Sequence, residues 1–279
     1  MKLRYNHFDN FDHLISSDDS IFHYTKTATA IERILYERKY IFSSLMTTND
    51  PFEYKSKMIG ASGWGWNKET ETKQHQMFKI LDRLLGRNTQ FISCCSNSFN
   101  EKGLVSHGCI KSRMWAQYAE SHRGVCLVFS KVKLLESVKN VCADKKLEFW
   151  EGSIDYKEYV ENQAGYRSVS INGDTFDARS PVDVALDHIC SHHRELLFRK
   201  QRDYKDEDEY RVVVLNKDHS SEFCSPLELT VTDFLVGIIL GDRFPKPYLP
   251  TITSIANDLG VEFKKLHWEG AEYILLNGG

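Results

Sequence analysis

The chain has 279 residues, 41% hydrophobic and 27% charged, a balance that can fill a full core and excludes a disordered chain. Lys and Arg number 36 against 39 for Asp and Glu, a formal net charge of −3, which excludes a broad basic field for a nucleic-acid backbone. No secretory-type apolar core opens the chain and no run of about 18 apolar residues occurs in it, so the expectation is a cytoplasmic protein that does not enter a membrane.

In chain order, "SIFHYTK" (20–26) alternates like a short strand. "TATAIERILYERK" follows with Ile31, Ile34 and Leu35 at helical spacing and Thr27 or Thr29 as a possible cap. "YIFSSL" (40–45) reads as a second strand. "NDPFE" carries the chemistry of a helix start, with Asp50 as cap, Pro51 at the first helical position and Glu53 reaching back. Residues 60–76 read as a loop, in which Trp64 or Trp66 could close on a ligand, with a helix after it around "MFKILDRLLG".

"QFISCCSNS" reads as a strand and "KSRMWAQYAESHRG" as a helix with Met114, Trp115 and Tyr118 on one face and Gly124 ending it. "GVCLVFS" is a buried strand, a helix falls near 131–139, and "KKLEFWEGSIDY" is a further strand. Residues 162–180 are weakly patterned and read as a surface insertion, ahead of a long helix opened by Pro181. "EYRVVVL" and "FLVGIILGD" are strands, "LPTITSIANDLG" a helix ended by Gly260, and "VEFKKLHW" and "EYILLN" closing strands. Strands and helices interleave without a regular βαβ rhythm. The simplest account is one α+β domain over 1–279, with 1–19 as an N-terminal extension and a mixed β-sheet flanked by helices.

Seven cysteines, at 94, 95, 109, 126, 142, 190 and 224, form no Cys-x-x-Cys pair and read as buried thiols. His188 and His192 stand one helical turn apart, as a metal pair would. The stripe Val182, Leu186, Ile189 and Leu196 places them off the buried face, however, and no third ligand is recognisable, so no metal is expected. His23, beside Tyr24 in a strand, is by itself compatible with a structural role. The acid run in "YKDEDEYRVVVL" is different: period-2 alternation puts Glu207, Glu209 and Arg211 on one strand face. Two carboxylates there can raise one another's pKa while Arg211 orients the nearer one; the alternative is a charged, solvated strand entry.

The segments "FHYTK", "FSSLMTTNDPFE", "ISCCSNS", "MWAQYAESHRGVCLVF", "SIDY", "FRKQRDYKDEDEYRVVV" and "VGIILGD" together resemble a bacterial family, domain-of-unknown-function family 2971, over about residues 21–267. Tyr204 stands where that family often has Trp. The layout more distantly resembles the ADP-ribosyltransferase fold, which implies a split mixed sheet with NAD, as substrate, in its cleft. On that resemblance His23 would bond the adenosine-side ribose, Glu209 would stabilise the ribosyl cation, and Glu207 would be the upstream acid of the pair. Tyr24, Ser43, Trp115, Tyr118, Arg123 and Arg211 complete the expected ligand-binding set, although Tyr118, on an expected helix, does not match the fold's middle-strand Tyr. The expected partner is a nucleotide or small molecule, with the acceptor of any transfer undefined. Two other classes stay open: a non-catalytic nucleotide-binding or interaction module, and a metal-dependent hydrolase or nuclease using Glu207 and Glu209.

Overall fold

The structure is a computed structural model that describes residues 3–4, 9–48, 50, 53, 61–63, 65, 67–158, 169–218 and 225–278. The longer strands of its main sheet are β1 (Ser20–Thr25), β2 (Thr89–Ser96), β3 (Val125–Ser130), β4 (Glu148–Ser153), β5 (Glu209–Leu215), β6 (Leu235–Leu240), β7 (Phe263–Glu269) and β8 (Glu272–Asn277). With Leu3–Arg4 at one edge and Ser43–Ser44 branching from β2, the described residues form a ten-stranded sheet ordered Leu3–Arg4, β8, β7, β6, β3, β1, β2, β5, β4. The sheet is mixed, because β6–β7 and Leu3–Arg4–β8 are parallel and the other pairs antiparallel. The α+β reading therefore holds.

Three apolar clusters cover this sheet. Ile21, Ile92, Leu127 and Ile238 pack on one face beneath α3 (Lys131–Lys145), which runs six residues beyond the expected 131–139. On the other face, Phe22, Cys95, Cys126 and Trp115 form one cluster, and Phe91, Val213, Leu215 and Leu196 another. Period-2 alternation of nearly continuous apolar strands explains both faces being filled. Cys94, Cys95, Cys109, Cys126 and Cys142 are buried free thiols and Cys190 is half-buried, while Cys224 lies outside the described residues. No helix among the described residues is long and apolar enough to cross a membrane.

The sheet has one weak seam. Strand β1 pairs with β3 through six residues but with β2 only at Ile21–Ser96 and Phe22–Cys95. Beyond Phe22 the ladder between β1 and β2 stops, and the imidazole of His23 takes over, its Nδ1 lying 3.1 Å from the Ser93 carbonyl oxygen.

Several local expectations need correction. The stretch read as a loop over 60–76 turns helical at Lys68, because Asn67 and Thr70 form a reciprocal capping box; the helix α1 is Lys68–Arg83. Trp64 and Trp66 lie outside the described residues. The long helix from Pro181 breaks at His192 into α4 (Pro181–Ser191) and α5 (His193–Leu197). The part of the expected insertion that is described, 169–180, is no bare loop: it holds Ile171–Asn172, paired with Ala61–Ser62, and a short helix Gly173–Ala178, and it buries Val169, Ile171 and Phe176. Thr27 and Thr29 cap nothing; the Thr27 hydroxyl donates instead to the Arg123 carbonyl oxygen at 2.9 Å. "YIFSSL" is broken at Phe42 into Lys39–Ile41 and Ser43–Ser44.

Candidate active site

The four acids of "DEDE" divide between two environments. The strand begins only at Glu209; Glu207 ends a tight helical turn, Arg202–Glu207, and Asp208 takes a left-handed conformation at φ +43°. Glu207 is thus not on the strand, contrary to the alternation argument. The left-handed residue nonetheless sends Asp208 outward, to Lys111 and to the Ser98 hydroxyl at 2.8 Å, while Glu207 and Glu209 both point inward and are each 2% exposed. Asp206 stays in solvent. Repulsion within the run is relieved by this inward and outward division.

The two inward carboxylates meet two buried cations. Lys200 Nζ lies 2.8 Å from Glu207 Oε2, 2.8 Å from Glu209 Oε2 and 4.0 Å from Glu53 Oε2. Arg211, two residues along β5 and so on the same face, donates from Nε to Glu209 Oε1 at 2.6 Å and from Nη2 to Glu53 Oε1 at 2.5 Å. Its Nη1 donates to the Leu197 carbonyl oxygen at 3.0 Å. Tyr118 donates its hydroxyl to Glu207 Oε1 at 3.0 Å, and the backbone N–H of Glu209 donates to the Tyr156 hydroxyl at 2.9 Å. Three carboxylates face two cations, so the cluster carries an excess of one negative charge, to which Asp50 adds another on the cavity wall.

Burial by itself would raise the Glu209 pKa, but the attraction and hydrogen bonds of Arg211 and Lys200 outweigh it and hold the carboxyl down to about 2. Burial would likewise lower Lys200, and Glu209, Glu53 and Glu207 reverse that, so the ammonium is held protonated well above its ordinary range. The expectation that paired acids would raise one another's pKa fails for Glu209, because each acid has a cation between it and the next. His23 behaves oppositely: burial pushes its pKa down to about 4 against the pull of the Ser93 carbonyl, and the ring is neutral at pH 7. The Tyr40 hydroxyl sits 3.4 Å from its Nε2, and Phe129 stacks on it with ring centroids 6.0 Å apart.

A cavity of about 260 Å³ opens where β1 and β2 part, with His23, Tyr40, Tyr118 and Tyr204 on its wall beside Glu207, Glu209, Arg211 and Lys200. Ser43 is on the wall. Tyr24 touches it too, but strand alternation turns its ring away from His23, and its hydroxyl donates to the Gly108 carbonyl oxygen at 2.6 Å. Trp115 is not part of the site: it is fully buried, its Nε1–H donating to the Cys109 carbonyl oxygen at 2.8 Å. Arg123 is exposed and stands away from the cavity.

The helix that carries Tyr118 is shorter than the pattern implied. It is α2 (Ser112–Gln117), and Glu120, Ser121 and His122 then form a left-handed turn with φ of +54°, +55° and +71°. Such residues cost about 1–2 kcal/mol each. The turn is tied back through the His122 N–H to the Trp115 carbonyl oxygen at 3.1 Å and through the Arg243 N–H to the His122 carbonyl oxygen at 3.0 Å. Gly124 does not cap the helix; it permits close approach, since a Cβ there would stand 2.3 Å from the Thr25 carbonyl oxygen.

Sequence reasoning missed Glu53 and Lys200. "NDPFE" was explicable as a helix cap, yet the Glu53 carboxylate pairs with Arg211 and Asp50 lines the cavity; Pro51 lies outside the described residues. Lys200 sits on the strand Arg199–Gln201, paired in register with Asp155–Lys157.

A family described as "Protein of unknown function (DUF2971)" matches residues 114–212. That span holds Tyr118, Lys200, Glu207, Glu209 and Arg211, and leaves out His23, Tyr40 and Glu53. Neither the curated proteins nor the solved structures gave a match.

Proposed function

We propose that the cavity binds the nicotinamide riboside half of NAD as substrate and cleaves its N-glycosidic bond, as an ADP-ribosyltransferase-like enzyme or NAD glycohydrolase does. The observation that carries this reading is the excess negative charge of the Glu53, Glu207 and Glu209 cluster, set in a small cavity at the opening of the sheet. At about 260 Å³ the space lies just under the ~300–1,000 Å³ of typical small-molecule sites. It suits one nucleoside half, with the remainder of the dinucleotide leaving through the mouth.

The nicotinamide ring of NAD is a pyridinium, and breaking the C1′–N bond leaves its electron pair on nitrogen. Nicotinamide departs neutral and the positive charge passes to the ribose, where fixed carboxylates stabilise it. Glu209, with a pKa of about 2, serves by its charge and not as a proton acceptor near neutrality. The attacking nucleophile, water or an acceptor hydroxyl, adds at C1′ and gives its proton to Glu207 or to solvent. Neutral His23 and Tyr40 offer hydrogen bonds to sugar hydroxyls.

One observation favours a second reading, a non-catalytic nucleotide-binding module: both Glu209 oxygens already lie within 2.8 Å of internal cations. That reading predicts binding without turnover. A metal-dependent hydrolase fits less well, because Lys200 Nζ occupies the point where Glu207 and Glu209 converge. The test is nicotinamide release from NAD by wild type, Glu209→Gln and Glu207→Gln, each checked by circular dichroism. Release that either folded variant abolishes supports catalysis; NAD binding without release favours the module, and neither binding nor release rejects both.

A further inference from the structure

The cavity between α4 and the segment 169–178 lies apart from the acidic site. It measures about 190 Å³ and is lined by Ser170, Asn172, Thr175, Ser191, His188 and His192. The sequence pattern placed His188 on a solvated face, but its side chain is buried, at 8% exposure. Its Nε2 has no hydrogen-bond partner among the described residues. Leaving a buried imidazole nitrogen unpaired is destabilising, and a ligand on that nitrogen would remove the cost.

A second imidazole stands beside it. The His192 N–H donates to the His188 carbonyl oxygen at 3.0 Å, which preserves the one-turn spacing at the end of α4, and the two rings lie 4.7 Å apart. Two histidines at i and i+4 on one helix face can share one ion, and imidazole suits Zn²⁺, Cu²⁺ or Ni²⁺ over Mg²⁺ or Ca²⁺. Asp187 also borders the cavity but is engaged at 2.8 Å by Arg179. Among the described residues no three His, Cys, Asp or Glu side chains form a metal cluster. The hydroxyl and amide groups of Ser170, Thr175, Ser191 and Asn172 are instead suited to waters on an ion that keeps open positions.

We infer that His188 and His192 form a two-histidine site for a borderline divalent transition-metal ion such as Zn²⁺, with its other positions filled by water. The ion closes the unpaired Nε2 of His188 and ties down the end of α4. Such a site is exchangeable, since a closed structural zinc takes about four protein ligands.

The experiment is titration of the tag-free full chain with ZnCl₂ by calorimetry, alongside thermal unfolding, for wild type, His188→Ala, His192→Ala and the exposed control His75→Ala. One ion per chain should bind and raise Tm, because a ligand that binds only the folded state stabilises it. His188→Ala and His192→Ala should each weaken that binding about tenfold or more, and His75→Ala should not. His192 is only partly buried, so its variant decides the matter if His188→Ala fails to fold. Absence of binding in wild type, or wild-type binding in a folded His192→Ala protein, overturns the assignment.

Discussion

Replacing Lys200 by Met removes the charge that separates three buried carboxylates and leaves the aliphatic stem. Lys200 Nζ is 2.8 Å from both Glu207 and Glu209, and its side chain is 8% exposed. The variant would leave Glu53, Glu207 and Glu209 facing Arg211 alone, so the excess of negative charge rises from one to two. Breaking a buried ion pair by removing one partner costs about 3–5 kcal/mol. A fair control is Arg202→Met: Arg202 is also 2.8 Å from its partner, Glu158, but the two side chains are 59% and 58% exposed. An exposed pair contributes about 0.2–1 kcal/mol. Urea unfolding at pH 7 should therefore separate the two variants by several kcal/mol although the ion-pair distances are the same. Carboxylate NMR should also show the Glu209 pKa rising in Lys200→Met. A Lys200→Met protein no less stable than Arg202→Met would refute the claim that this cluster is a buried electrostatic network.

Two further outcomes follow from the geometry. His23 has a pKa of about 4 in the fold against 6.5 ordinarily, so its contribution is complete above pH 6.5 and is lost as pH falls from 6.5 to 4, by about 3 kcal/mol. His23→Gln should make the decline of unfolding free energy over that window shallower by about one proton, whereas Glu209, at about 2 against 4.5, adds its loss only as pH falls below 4.5; an unchanged slope would contradict the burial argument. Gly241→Ala should destabilise by about 1–3 kcal/mol, because its Cβ would stand 2.1 Å from the His122 carbonyl oxygen, which the left-handed turn holds in place; an unaffected urea midpoint would show that the turn yields freely.

The strands were legible in the sequence because their apolar residues run with period 2 or without interruption, as in "GVCLVFS" and "EYRVVVL". The acid run was legible as a candidate site because such a cluster at a strand entry is hard to explain by folding. What the pattern could not convey was which acids turn inward, since that depends on the left-handed backbone at Asp208. Nor could it reveal Lys200 and Glu53, whose partners are seven or more residues away in sequence: Lys200 with Glu207, and Glu53 with Arg211, 158 residues away. Trp115 was misplaced for a related reason. Its position on one helical face with Tyr118 is sound and both side chains touch the same apolar cluster, but Trp115 is fully buried there while the Tyr118 hydroxyl reaches Glu207 on the cavity wall.

On the proposed function, excess negative charge in the cavity selects a ligand that carries or develops positive charge. Its most direct test is equilibrium titration of the wild-type protein with NAD⁺ and with NADH, which share every phosphate and sugar but differ in the charge of the nicotinamide ring. NAD⁺ should bind about tenfold or more tightly, a difference of about 1.4 kcal/mol. Equal affinity for the two, tighter binding of NADH, or no binding of either would contradict it.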